Sequence, residues 1–299
     1  MSLVLGALQI GFILGMLAIG IYISFRILNV PDLTAEGSYA LGLVTSAVMT
    51  VAGHPYLGLV AATLAGMAAG CVTGFLSTKL KIAPILAGII TMSSLYTINL
   101  MIMGGNPNIS VFDCDTVFRA AYKLLPMFKK EVVKVIVGAV FAIFCCGVVI
   151  WFFRTGIGLS IRAVGDNEDM VRASSINADF AKTLGLAIAN GLIALCGGVY
   201  AQYIGNADVS AGAGMLIIGL ASVIIGEVII VKRSLVWGII SAVLGSIIYR
   251  GIITVVTGFH FLPSYSTKLV SAIIVALALA VPAIKERISI MKKGGAKNA

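Results

Sequence analysis

The chain has 299 residues, of which 60% are hydrophobic and only 11% are charged. Soluble domains carry roughly 25% charged residues, so this composition excludes a water-soluble surface over most of the chain and indicates helices in lipid. The net charge of +9 could suggest a nucleic-acid partner, but the basic residues fall between apolar segments and in the tail, where they indicate membrane orientation instead.

Repeated apolar segments predict an all-α integral membrane bundle of about nine transmembrane helices, forming a single domain over 1–299. A helix needs about 20 apolar residues to cross the bilayer core. The predicted spans are 3–25, 37–53, 56–77, 83–103, 132–153, 183–204, 213–231, 235–256 and 267–284.

The first apolar segment, 2–25, has no charged side chain. It lacks the basic leading region of a secretory signal, so we expect a retained first span. In the third span Gly66, Gly70 and Gly74 recur every four residues, a spacing that lets helix backbones approach closely. This spacing fits packing within the bundle and a dimer face equally well.

Lys and Arg in the connections predict the orientation, because they favour the cytoplasmic side. Alternating sides along nine spans puts the N-terminus outside and the C-terminus in the cytoplasm, with a basic tail at 285–299. The predicted cytoplasmic set is Arg26, Lys79, Lys81, Arg154, Arg162, Arg172, Lys182, Lys232, Arg233, Lys285, Arg287, Lys292, Lys293 and Lys297. The contrary set, in the outer connection 104–131, is smaller: Arg119, Lys123, Lys129 and Lys130.

Ionisable residues within membrane spans are costly and usually functional. Asp32 and Glu36 fall at the start of the second span, Glu227 near the end of the seventh and Arg250 within the eighth. None is expected at mid-membrane with a partner. The chain has no phosphate-binding loop, no G-x-S-x-G elbow and no metal-ligand spacing, so we predict no enzyme activity, no cofactor and no metal site.

The connection 154–182 is the most polar part of the chain. Asp166 is a predicted N-cap, and Asp169 follows three residues later as in a capping box. A short helix over 167–174 follows. Because so short a helix is unstable alone in water, it needs a docking surface on its own bundle or on another protein.

Several motifs resemble one transporter family. The stretches GLSIRAVGDN at 158–167, VRASSIN at 171–177 and KTLGLAIANGLIALCGG at 182–198 are similar to the permeases of branched-chain amino acid and ribose ABC importers. PDLTAEG at 31–37 and IAPILAGIIT at 82–91 agree with the same family. Within it, the chain looks most like the permeases that accompany tryptophan- or tyrosine-type binding proteins.

The resemblance implies a permease subunit in the bacterial inner membrane that works with a second copy of itself, two ATPase subunits and an extracellular substrate-binding protein. The substrate is expected to be an amino acid, and we favour an aromatic one, with a branched-chain amino acid, a sugar or a vitamin as the alternatives. The resemblance also implies that the segment 154–182 is a coupling loop whose short helix docks in an ATPase cleft. The side chains of Asn167, Glu168, Met170 and Val171 are expected to be exposed on that helix. The full predicted set is Asp166, Asn167, Glu168, Asp169, Met170, Val171 and Arg172.

Polar residues within spans are candidates for a translocation path: Thr91, Ser93, Ser94, Asn99 and Asn190. The alternative for each is hydrogen bonding between helices. The connection 104–131 is predicted either to receive the binding protein through its basic residues or to be an ordinary solvated loop. The tail 285–299 is predicted either to lie on anionic lipid or to be a disordered stop-transfer segment.

Two other functions remain open from the sequence. One is a stand-alone secondary carrier or channel, against which we count the expected lack of central carboxylates. The other is a membrane anchor or assembly subunit, which would not need the polar, capped segment 154–182.

Overall fold

Helices dominate the fold. The structure is a computed structural model that describes residues 2–174, 176–230, 234–258, 272, 273 and 276. The helices are α1 Ser2–Tyr22, α2 Thr34–Val51, α3 Pro55–Thr78, α4 Pro84–Ile102, α5 Val117–Leu124, α6 Lys130–Phe152, α7 Gly156–Asp166, α8 Glu168–Ala173, α9 Ala178–Ile204, α10 Met215–Ile229 and α11 Leu235–Gly258. A π-helical turn, Ile23–Ile27, ends α1, and a 3-10 turn, Val209–Gly212, precedes α10. Strands β1 Asn108–Ser110 and β2 Asn206–Asp208 pair antiparallel.

The long helices coincide with the first eight predicted spans. Seven segments of the described chain are long and apolar enough to cross a membrane. The eighth long helix, α2, has 18 residues and is more polar, and most of its side chains are buried by its neighbours. The ninth predicted span, 267–284, apart from residues 272, 273 and 276, and the basic tail, 285–299, lie outside the described residues.

Helix α9 forms the centre of the bundle, and the regularly spaced glycines of α3 face it. A Cβ on Gly66 would lie 2.5 Å from the carbonyl oxygen of Asn190, and one on Gly70 would lie 2.4 Å from that of Leu186. A Cβ on Gly74 would lie 2.7 Å from the Cα of Thr183. These glycines therefore serve packing within the chain, because only a residue without Cβ allows α3 and α9 to approach so closely.

Helices α2 and α10 both begin inside the bundle. Asp32, just before α2, contacts Asn190, which lies near the midpoint of α9. Glu36 in the first turn of α2 accepts a hydrogen bond of 2.9 Å from the backbone N–H of Gly214, immediately before α10. From this shared level α2 runs towards the carboxyl end of α9, whereas α10 runs the other way, to the ion pair of Glu227 with Arg26.

The two ends of the bundle carry different structures. At one end the side-chain amide of Gln9 in α1 donates to the carbonyl oxygen of Glu131, 2.8 Å away, next to the connection that contains β1 and α5. At the other end α7 and α8 lie beside the end of α1, where a Cβ on Gly165 would meet the carbonyl oxygen of Ile27. The segment 154–182 and the connection 104–131 are therefore on opposite ends, as alternating spans predict.

Candidate functional site

A buried carboxylate lies where α2 begins. Asp32 is 1% exposed, and its Oδ1 accepts a 2.8 Å hydrogen bond from the backbone N–H of Thr34. Its Oδ2 accepts a 2.6 Å hydrogen bond from Nδ2 of Asn190. No ionisable residue was expected at mid-membrane with a partner, but Asp32 does have a partner, in the interior of the bundle. Apolar runs could not reveal this, because the chain turns back into the bundle after α1 before it forms α2.

Three threonines extend this cluster, which then consists of Asp32, Thr34, Thr73, Thr91 and Asn190. The hydroxyl oxygens of Thr34 and Thr73 are 2.7 Å apart, and Thr73 donates to the hydroxyl of Thr91 at 2.9 Å. Thr91 and Asn190 were path candidates, and both are buried and hydrogen-bonded to other elements of the bundle, Thr91 to Thr73 in α3 and Asn190 to Asp32 just before α2. Their contacts match the alternative, helix–helix hydrogen bonding, in this conformation.

The other path candidates lie further along α4. Ser93 and Asn99 line a cavity of about 460 Å³ between α2, α4 and the 3-10 turn before α10. Glu36 and Tyr96 line the same space, which we call the Glu36 cavity. Ser94 is exposed, and its hydroxyl donates back to the carbonyl oxygen of Ile90. The structure thus groups two of the five candidates around a carboxylate.

Sequence reasoning noticed four ionisable residues within spans and assigned none of them a role in transport: Asp32, Glu36, Glu227 and Arg250. Arg250 lines a neighbouring cavity of about 480 Å³ between the 3-10 turn, α10 and α11. Its Nε is buried and has no hydrogen-bond partner in the described part of the chain. Their presence within spans was the available signal, since such residues are rarely retained without a function.

The short helix of the polar connection is α8, and it begins one residue later than predicted. Asp166 is the last residue of α7 and does not cap α8. Instead, Asn167 has an extended backbone and its Oδ1 accepts a 3.0 Å hydrogen bond from the N–H of Met170. The predicted Asp166 cap is wrong because the preceding helix continues through Asp166. Asp169 lies in the first turn of α8 and is exposed.

Side-chain contacts hold α8 against the bundle. Glu168 accepts hydrogen bonds from Lys182 and from Arg172, and Arg172 also donates to Asp179. The hydrogen bond from Lys182 is the main cause that holds the pKa of Glu168 below its ordinary value. Val171, predicted to be exposed, is 1% exposed because it faces the bundle. The apolar side chain that α8 does present outward is Met170, at 56% exposure.

Two more apolar side chains are exposed shortly after α8 in the chain. Ile176 and Phe180, in and next to the start of α9, are also exposed large hydrophobic residues. The exposed face around α8 is therefore suited to contact with another protein.

Among the described residues, no group of three His, Cys, Asp or Glu side chains is placed to hold a metal ion.

Comparison with known proteins shows the family of this chain. The family described as "Branched-chain amino acid transport system / permease component" matches residues 3–281. The tyrosine transport system permease protein of Clostridioides difficile (strain R20291) is 37% identical, over 94% of this chain and 91% of that protein. The ribose import permease protein RbsC of Escherichia coli (strain K12) is 24% identical, over 84% and 76% respectively.

The fold is similar to a solved structure described as PsaBC from Streptococcus pneumoniae in complex with Fab. The TM-score is 0.52 at 15% sequence identity, and the match covers 91% of this chain and 89% of that chain.

Proposed function

Because the chain belongs to the family of branched-chain amino acid transport permeases, and is thus a multi-pass protein of the bacterial inner membrane, we propose that it is the transmembrane subunit of an ATP-binding-cassette importer. Two copies form one translocation path, which separate ATPase subunits drive by alternating access. An extracellular binding protein delivers the substrate. Nucleotide binding acts by shifting the equilibrium between conformations of the bundle, which it can do only if it binds them with different affinity.

The observation that carries this proposal is the exposed face of α8. A helix of six residues does not fold alone in water. Here Asn167 caps it and ion pairs to α9 hold it, so Met170 is presented outward on a fixed support. A movement imposed on α8 by an ATPase cleft is transmitted directly to α9, the centre of the bundle.

The proposed orientation follows from the same helix. With α8 on the ATPase side, the end of the bundle that carries Arg26, Lys79 and Arg172 faces the cytoplasm, as the basic residues predict. The N-terminus and the connection 104–131 are then outside, where the latter meets the binding protein. Nine spans, with the ninth at 267–284, return the C-terminus to the cytoplasm.

The test uses the complex assembled with ATPase subunits and a binding protein from the same organism. Met170→Asp should abolish ATPase subunit binding and uptake while leaving membrane insertion intact. Met127→Asp is the matched control for ATPase subunit binding alone, because Met127 is 97% exposed at the other end of the bundle. Its uptake is not compared, since it lies in the connection that is proposed to meet the binding protein. Glu168 stays unchanged, since replacing it would also break its ion pairs. Full ATPase binding and full uptake by Met170→Asp would refute the coupling role.

One observation favours the alternative of a stand-alone secondary carrier. Asp32 is the central carboxylate that such a carrier needs, but both of its oxygens are occupied by hydrogen bonds within the bundle. Uptake into proteoliposomes separates the two functions. The importer requires internal ATP and the binding protein, and dissipating proton and sodium gradients should leave its rate unchanged. Uptake driven by such a gradient without ATP would establish the carrier.

For the substrate, we propose an amino acid, with an aromatic one favoured. The support is the similarity to a protein named as a tyrosine transport permease, set against the lower similarity to ribose permeases. Affinity measurements on the binding protein with aromatic and branched-chain amino acids and with ribose decide among these classes.

A further inference from the structure

The Glu36 cavity has the composition of a binding site for an apolar solute with a cationic group. Its walls come from the first two turns of α2, the middle of α4 and the 3-10 turn before α10. Most of the lining is apolar, with Ala40, Met92 and Val209 among the contributors. Tyr96 is exposed at its rim and leaves the cavity open on one side.

Glu36 supplies the charge of this cavity. Among the described residues that line it, Glu36 alone is charged. Its Oε1 accepts the hydrogen bond from the N–H of Gly214, which leaves the second oxygen for another donor. The amino-terminal end of the 15-residue helix α10 is adjacent, and its dipole favours a negative charge there.

Asn99 supplies a second acceptor without a partner. Its side chain is 1% exposed, it lines the cavity, and its Oδ1 has no hydrogen-bond partner within the described residues. A buried acceptor left unpaired costs free energy, so such an atom calls for an explanation. A solute that donates hydrogen bonds into the cavity would satisfy it.

A group that fits Glu36 is a primary ammonium. It carries the charge opposite to Glu36 and has three N–H donors, enough for a carboxylate and an amide oxygen together. A carboxylate or phosphate would be repelled by Glu36. A sugar would match the acceptors but not the apolar remainder of the lining.

The neighbouring cavity is complementary. It shares Ser210 and Ala213 with the Glu36 cavity, and Arg250 lines its far side. A negative and a positive side chain thus lie on opposite sides of one short turn. The two side chains line separate cavities, so Arg250 is assigned no contact with a solute bound at Glu36.

We propose that the Glu36 cavity is a substrate site within the permease, in which Glu36 and Asn99 bind the ammonium group of an amino acid whose side chain is large and apolar. The inference rests on the proposed transport function and goes further, because it assigns part of the substrate selectivity to the permease itself.

The test measures solute protection of a thiol at the cavity wall. Ser93→Cys is introduced where Cys71, Cys114 and Cys146 have been replaced by Ala, and a water-soluble maleimide labels the full-length chain in proteoliposomes, with and without its ATPase subunits. Tyramine and L-tyrosine should slow labelling. The analogue without the amine, 3-(4-hydroxyphenyl)propanoate, and D-ribose should not.

Charge removal then tests Glu36 itself. In Glu36→Gln the side chain can still accept from Gly214, so the fold is retained while the charge is lost. The tyramine concentration for half protection should rise about tenfold or more, as expected when a charged hydrogen bond is lost. Glu36→Asp should keep most of the protection, and Asn99→Leu should lose several-fold. Glu227→Gln, which removes a carboxylate at the cytoplasmic end, is the control and should change nothing.

The outcomes separate this inference from the proposed function, because protection does not require ATP. Equal protection by the amine-free analogue, protection by ribose alone, or an unchanged Glu36→Gln would overturn the ammonium site. So would a thiol that no solute protects in any state. If the wild type shows no ATP-dependent uptake, the importer proposal fails instead.

Discussion

Asn190 donates a 2.6 Å hydrogen bond to Asp32 across 158 residues of sequence, and both side chains are buried in the middle of the bundle. This bond ties the start of α2 to the midpoint of α9. Helices that begin at mid-membrane are a feature of transporters, which build substrate sites at such breaks. The Glu36 cavity lies one turn of α2 away from this bond.

Removing Asp32 should destabilise the protein. In Asp32→Ala the amide of Asn190 and the N–H of Thr34 lose their acceptor, so we expect a loss of about 1–3 kcal/mol. Thermal unfolding in detergent measures it. Asp113→Ala, in the exposed connection, should remain within about 0.5 kcal/mol of the wild type. If both variants unfold at the same temperature, the bond does not stabilise the bundle.

Adding a side chain to the glycines of α3 should separate two helices. The Cβ of Gly70→Val would meet the carbonyl oxygen of Leu186, and overpacking of this kind costs about 1–3 kcal/mol. Gly147→Val is the matched control, because Gly147 lies in α6 with nothing within 4 Å of its added Cβ. Unfolding temperatures of the two variants should differ clearly. A Gly70 variant as stable as the Gly147 variant would contradict this close packing.

Asn167 and Asp166 should differ in their effect on coupling. Asn167→Ala removes the cap of α8 and should cost about 1 kcal/mol of local stability, whereas Asp166→Ala removes no cap. Hydrogen exchange across α8 measures the local loss, and substrate-stimulated ATP hydrolysis measures its consequence. Asn167→Ser, which can still cap, should restore protection. Greater exchange in Asp166→Ala than in Asn167→Ala would contradict the observed cap.

The contacts of Glu168 predict a pH dependence. Because its pKa is lower in the folded protein, its ion pairs stabilise α8 above the unfolded value of about 4.3, and this contribution is lost as pH falls through the folded pKa. Wild type should unfold at a higher temperature than Glu168→Gln at pH 7, and the difference should shrink towards pH 3. A difference that is constant with pH would exclude this ionic origin.

Reversing two charges in the outer connection should slow binding-protein docking. Lys129 and Lys130 are exposed at the start of α6, and basic side chains there can attract an acidic partner surface. Replacing both by Glu should lower the association rate at low salt, with a smaller effect at high salt because of screening. Surface plasmon resonance measures the rate. Replacing both by Arg should preserve it, and equal rates for the Glu and Arg pairs would reject the idea.

Much of the fold was predictable because each span must bury its own backbone in lipid as a helix. That constraint acts locally, so apolar runs located eight long helices to within a few residues. The short helix after Asp166 was also predictable, since capping depends on neighbouring residues. Its exact start was not, because the end of α7 and the start of α8 compete for the same polar residues.

The sequence by itself was enough to predict a helical membrane protein with basic residues in its connections and its tail. It also showed the family resemblance that local motifs carry. The tertiary structure decided which residues meet. Only the close approach of α2, α3 and α9 brings Asp32 to Asn190 and turns the glycines of α3 inward. Only the re-entry of the chain before α2 and α10 places Glu36 beside Gly214 and opens a cavity towards Asn99. Hydropathy cannot show these contacts, because it averages over a span while a hydrogen bond depends on the relative position and rotation of two helices.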